Sequence, residues 1–150
     1  MSQVGETRLQ MPSHSDGGQA FFTSVGCMDG RAQEVVAEFG RKKFGAEFPD
    51  TITEAGLVGK LSQDPVDQSL VNSIKFKIVD VSIGKHHSKG VVVHGHQECA
   101  GNPVDDKKHK EDIRKSVEVV KSLVNSSVPV FGVFVKRSPE HASKWEIEEV

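Results

Sequence analysis

The chain carries two cysteines, Cys27 in Cys27-Met28-Asp29-Gly30-Arg31 and Cys99 in His96-Gln97-Glu98-Cys99. Each follows a short apolar run and precedes a stretch that reads as helix, so both thiols fall at the ends of expected strands. Two thiolates and one imidazole form a donor set that suits zinc. They leave a fourth tetrahedral position open, the mark of a catalytic rather than a structural site. The spacing of His96 and Cys99 lets both side chains reach one metal from a single tight turn. Asp29 lies two residues beyond Cys27, and Arg31 could hold its carboxylate through a fork of hydrogen bonds. A carboxylate placed there has two jobs open to it. It can accept a hydrogen bond from a group at the fourth position, or it can swing onto the metal and close the site.

Plainer readings stand beside this one. Isolated cysteines are often inert core residues. A Cys27/Cys99 redox pair is a further alternative, but it lacks Cys-x-x-Cys spacing and leaves His96 and Arg31 without a role. His94 shares a strand face with His96 and reads as a packed histidine, with a supporting or proton-relay role as the alternative. His86-His87 read as an exposed helix end. Lys107, Lys108, His109 and Lys110 read as the solvated start of a helix. Phe21, Phe22, Phe39 and Phe44 are expected in the core.

The elements that must position these residues follow from periodicity. Residues 20–26 (Ala-Phe-Phe-Thr-Ser-Val-Gly) read as a buried strand. Ala32, Val35, Val36 and Phe39 recur at helical spacing, with Gly40 or Gly45 as the stop. Thr51-Ile52-Thr53 forms a second strand, followed by Glu54-Ala55-Gly56. Val71, Ile74, Ile78 and Val81 mark one face of a second helix ending at Gly84 or Gly90. Gly90-Val91-Val92-Val93-His94 is the clearest strand. Ile113, Val117, Val120 and Val124 mark a third helix that Asp105 or Asp106 could cap. Residues 128–135 form the last apolar strand, and residues 145–150 alternate apolar and acidic residues as a half-exposed edge strand does. Strands alternating with amphipathic helices predict a mostly parallel sheet covered on both faces. In such a sheet the strand C-termini share one edge, and a crevice opens where neighbouring strands send their helices to opposite faces. If the first and third strands are neighbours, Cys27, His96 and Cys99 converge there.

The 150 residues amount to one ordinary domain, with residues 1–18 expected as a loose arm and 19–150 as the single domain. Apolar and charged contents of 36% and 27% suit a globular chain, and a net charge of -2 offers no basic face to nucleic acid. No apolar stretch is long enough to span a bilayer, and the polar start has no signal-peptide core. With cysteines placed for metal rather than disulfide, a cytoplasmic location is expected.

Cys-x-Asp-x-Arg followed about seventy residues later by His-x-x-Cys resembles the β-class carbonic anhydrases. The resemblance rests on Cys27, Asp29, Arg31, His96 and Cys99 and spans roughly Phe21 to Val135. It implies an α/β, three-layer α-β-α fold with four mostly parallel strands in the order 2-1-3-4, here with a C-terminal edge strand. It also implies a homodimer or higher homo-oligomer acting on a small molecule. The implied reaction is the reversible hydration of carbon dioxide to bicarbonate, by a hydroxide on zinc that Asp29 orients and Arg31 steadies. The alternatives are a non-catalytic zinc protein with Asp29 as fourth ligand, and a hydrolase of a related molecule such as carbon disulfide or carbonyl sulfide. The chain departs from the family where Glu54-Ala55-Gly56 replaces Asn-Ala-Gly, where Glu98 precedes the second cysteine, and where Ala100-Gly101-Asn102-Pro103 follows it. Gly56 and Gly101 are expected to line the pocket through their backbones.

Overall fold

The computed structural model describes residues 19–150, and the arm expected at 1–18 lies outside the described residues. Five strands make one sheet: β1 (Phe21–Gly26), β2 (Phe48–Thr53), β3 (Val91–His96), β4 (Val130–Arg137) and β5 (Trp145–Glu149). Their order is β2-β1-β3-β4-β5. The first four run parallel, and β5 returns antiparallel along β4. This is the expected four-strand order with the expected edge strand added. All six residues of β3 are buried, which is why its valines read as an unbroken apolar run rather than an alternation.

The helices are α1 (Gly30–Phe44), the short α2 (Leu57–Leu61), α3 (Gln68–Lys75) and α4 (Asp106–Leu123). Side chains alternate across β3 and separate two cores. Val91 and Val93 pack with Leu57, Leu61, Ile74, Ile113 and Val120 of α2, α3 and α4. Val92 packs with Phe22, and with Ala32 and Val36 of α1, on the other face. Helices thus cover both faces. The chain leaves β1 toward β2 on one side and returns to β3 on the other, so the gap between β1 and β3 is the switch point of the sheet.

Caps explain the helix limits. Asp29 starts α1 by accepting from the Arg31 amide, and Gly45 ends it in the left-handed conformation at φ 62°. Asp105 caps α4 by accepting from the Lys108 amide at 2.8 Å. Two expectations change in the middle of the chain. Leu57–Leu61 is helical although its sequence offers only five residues to a periodicity reading. The second predicted helix begins as α3 but continues as a π-helical segment over Phe76–Ile83. Wider turns move the buried positions to Val71, Ile74, Ile78 and Ser82, so Val81 leaves the core face and a serine replaces it. Ser82 is accommodated because Thr23 Oγ1 lies 2.6 Å from its hydroxyl. Of the four phenylalanines expected in the core, Phe22 is fully buried, while Phe21, Phe39 and Phe44 are partly covered. No helix among the described residues is long and apolar enough to cross a membrane.

Candidate metal centre

Gly26 of β1 pairs in register with His94 of β3, so the residues leaving these two strands are neighbours. Cys27 comes one residue after β1, His96 ends β3, and Cys99 lies in the turn that follows. Their ligand atoms all fall within 4.8 Å of one another, and all three residues are buried. The sulfurs of Cys27 and Cys99 are 3.7 Å apart. That is far beyond a disulfide bond of about 2.05 Å. Two zinc–sulfur bonds of about 2.3 Å at a tetrahedral angle set sulfurs at about 3.8 Å, so the pair is spaced for a shared cation.

His96 is oriented for the same role. Its Nδ1 lies 2.7 Å from the Gln97 carbonyl oxygen, which can only accept, so Nδ1 carries the proton and Nε2 keeps its lone pair. Nε2 is buried and has no hydrogen-bond partner among the described residues. A buried imidazole nitrogen facing two thiols is a costly vacancy unless a ligand completes it. The donor chemistry, the sulfur spacing and this orphaned nitrogen together fit zinc.

The electrostatics are already arranged for a cation. Burial alone would raise the Cys27 thiol, but the nearby His96 imidazole and the Gly56 and Asp29 amides outweigh it and bring the thiol from 9.0 to about 6. The Gly56 amide donates to Cys27 Sγ at 3.4 Å. Cys99 moves the other way, pushed up by burial and by the Cys27 charge beside it. Burial pulls His96 down, and Cys27 with the Gln97 carbonyl more than restores it. The Cys27 thiol is thus the more readily ionised of the two, and a divalent ion held by the three donors would favour the thiolate form of both.

Asp29 and Arg31 form the expected fork. Arg31 Nη2 donates to Asp29 Oδ2 at 2.7 Å, while Nε and the backbone amide donate to Oδ1 at 3.0 and 2.8 Å. These bonds hold the Asp29 carboxyl down at about 2, despite partial burial. Asp29 Oδ2 stands 3.8 Å from His96 Nε2, beside the cluster and outside bonding distance. Gln33 Nε2 secures the turn by donating to the carbonyls of Cys27 and Asp29 at 2.9 and 2.8 Å. Gly56 and Gly101 meet backbone to backbone: a Cβ on Gly56 would stand 2.2 Å from the Gly101 carbonyl oxygen, and Gly56 has φ +61°. Only glycine fits there, and the contact brings the Gly56 amide to Cys27.

The other singled-out residues fall elsewhere. Glu54 pairs with Lys60 at 2.7 Å and stays outside the cluster. His94 is a fully buried packed histidine on the α1 face. His86 is not a free helix end, since it bonds Asp50 at 2.7 Å and stacks on Phe21. His109 corrects the reading of a solvated basic run: it is 2% exposed and lies against Phe134, its ring 6.3 Å from that of His96, while Lys107 and Lys108 face solvent. Sequence reasoning did not reach Arg137 and Trp145. Arg137 grips Glu98 with bonds of 2.7 and 3.0 Å, and Trp145 lies under the guanidiniums of Arg31 and Arg137. Nothing local marks either residue, because both arrive from the far end of the chain.

No curated protein sequence matches the chain. Among solved structures, the β-carbonic anhydrase CafA of the fungal pathogen Aspergillus fumigatus aligns with 91% of this chain and 78% of its own at 15% identity, with a TM-score of 0.49. A family model described as "Putative carbonic anhydrase" matches residues 17–150. The match takes in both cysteine segments and every strand of the sheet, and the chain belongs to that family.

Proposed function

We propose that this chain is a zinc enzyme that hydrates carbon dioxide reversibly to bicarbonate. The observation that carries the reading is the buried Cys27–His96–Cys99 cluster with an ionised carboxylate, Asp29, held beside it by Arg31. Zinc in such a site supplies a Lewis acid that lowers the pKa of water toward neutrality. The protein's part is to present one acceptor at the fourth position. Asp29 is ionised throughout the neutral range, so it accepts hydrogen bonds and donates none. With zinc held by Cys27, His96 and Cys99, Asp29 would accept a hydrogen bond from an O–H group at that position and so orient it toward carbon dioxide. Two thiolates neutralise a dication that three imidazoles would leave charged, which weakens water activation and raises the importance of this acceptor. Arg31 keeps Asp29 from drifting.

Stopped-flow hydration of carbon dioxide by the zinc-loaded chain tests the proposal, with Asp29→Asn beside wild type. Asparagine caps a helix as well as aspartate, so α1 keeps its start while the anionic acceptor is lost. We expect catalysis in wild type and a fall in kcat of about a hundredfold in the variant, at unchanged zinc content. A fully loaded wild type without hydration activity, or a variant as fast as wild type, would sink the reading. A second reading, a non-catalytic zinc protein, draws on the 3.8 Å between Asp29 Oδ2 and His96 Nε2. A small rotation would bring that oxygen to a cation.

A further inference from the structure

Glu98, the residue before Cys99, has φ +59°, in the left-handed region that residues with a side chain enter at a cost. Such a conformation persists only where its surroundings hold it. Arg137 at the end of β4 donates from Nε to Glu98 Oε2 at 2.7 Å and from Nη2 to Oε1 at 3.0 Å. Arg31 reaches the same carboxylate through Nη1 at 3.3 Å and the Glu98 carbonyl through Nη2 at 3.1 Å. This is the guanidinium that grips Asp29. Both guanidiniums also lie on the indole of Trp145, that of Arg31 at 5.1 Å and that of Arg137 at 4.6 Å from the ring centroid. Trp145 opens β5 and is the register partner of Arg137. The Arg137 amide donates to Gln97 Oε1 at 2.8 Å, and the Gln97 amide donates to the Val135 carbonyl at 2.9 Å, so the whole turn is pinned to β4.

We infer that Glu98, Arg137 and Trp145 are positioning residues that lock Arg31, and through it Asp29, so that the fourth position at the Cys27–His96–Cys99 cluster stays open. The inference rests on the metal reading above. Asp29 has two resting places: its present seat against Arg31, with Oδ2 3.8 Å from His96 Nε2, or on a cation held by the three donors. Arg31 has a long stem and a side chain 41% exposed, so a single ion pair would leave it mobile. A second carboxylate and an aromatic face remove that mobility. Without them Arg31 wanders, and Asp29 is free to move onto the metal and close the site.

The test uses the full chain loaded with cobalt(II), whose visible bands report the coordination shell, titrated with azide. In wild type the bands shift saturably as azide enters the open position. In Arg137→Ala and Trp145→Leu, at equal cobalt content, the azide response is expected to weaken about tenfold or vanish. Trp145→Phe keeps an aromatic face and should respond as wild type. Lys136→Ala loosens the same strand pair without touching the clamp, since Lys136 pairs with Glu146 and Glu148, and should also respond as wild type. Should Arg137→Ala fail to fold, the Trp145 pair decides alone. A wild-type azide response in Trp145→Leu overturns the inference, as does an equal loss in Lys136→Ala. Azide binding needs no turnover. A wild type that binds azide but hydrates no carbon dioxide therefore sinks the proposed reaction and leaves the clamp standing.

Discussion

His94 sits wholly buried two residues before His96, and neither of its ring nitrogens has a hydrogen-bond partner among the described residues. Its ring occupies the space beside Gly26, where a Cβ would stand 2.3 Å from Nε2. Burial, with the nearby His96 adding to it, drops the imidazole to about 3 from 6.5. Between those pH values the unfolded chain binds a proton that the folded chain refuses. Stability from this source is therefore complete above about 6.5 and falls as the pH drops toward about 3. His94→Leu removes both the unpaired N–H and this linkage. Urea unfolding at zinc saturation should find the variant at least as stable as wild type at pH 7. Between pH 6 and 4 it should lose less, by up to about 1.4 kcal/mol per pH unit. Acid loss of zinc affects both chains alike, so parallel stability curves would count against a neutral buried His94. The candidate donors were legible in the sequence because Cys-x-Asp-x-Arg and His-x-x-Cys are each short patterns of chemically distinctive residues. The vacancy at His94 was not, since alternation along a strand says which face a residue joins and nothing about its partners there.

Helix α1 carries the residues that support the cluster, from the Asp29 cap to the basic last turn of Arg41, Lys42 and Lys43. Two of its glycines separate propensity from packing. A Cβ on Gly30 meets nothing within 4 Å, whereas a Cβ on Gly40 would stand 2.1 Å from the ring of Phe22 in the core. Gly30→Ala should raise stability by about 0.4–1 kcal/mol through the unfolded state. Gly40→Ala gains about 1 kcal/mol of helix propensity but should still lose about 1–3 kcal/mol overall to overpacking. Thermal unfolding of the two variants should move in opposite directions; movement in the same direction would mean that Phe22 yields easily. The sequence periodicity located α1 and α4 well, because each presents a long apolar stripe. It misjudged the stretch after Lys75, where wider turns carry Ser82 inward in place of Val81. The hydroxyl there is satisfied by Thr23, a residue 59 positions away, so no local pattern could announce it.

The molecule as a whole holds its cluster at one edge of a sheet whose two cores are built without it. Zinc should therefore add stability without being needed for the fold. At a free zinc concentration about 1,000 times its dissociation constant, binding contributes about 4 kcal/mol. In a chain of this size about 1 kcal/mol moves Tm by roughly 2–4 °C, so a strong chelator should lower Tm by roughly 8–16 °C. Far-UV circular dichroism at 25 °C should stay unchanged. Complete unfolding on chelation would mean that the cores depend on the metal, and an unmoved Tm would mean that the cluster holds no cation.

The sequence by itself determined the five strands and the long helices α1 and α4, and it picked out the candidate donors. Apolar spacing along a segment depends only on which side is covered, and Cys27, Asp29, Arg31, His96 and Cys99 declare their chemistry by type and separation. It also supported β1 and β3 as neighbours, but only through the rule that ligands gather where a parallel sheet reverses its winding. Tertiary structure decided the rest. It set the two sulfurs 3.7 Å apart, buried His109 within a run of lysines, and carried Arg137 and Trp145 from the end of the chain onto Glu98 and Arg31. Periodicity states that a face is covered but not by what. The partner is chosen by the packing of segments that lie far apart along the chain.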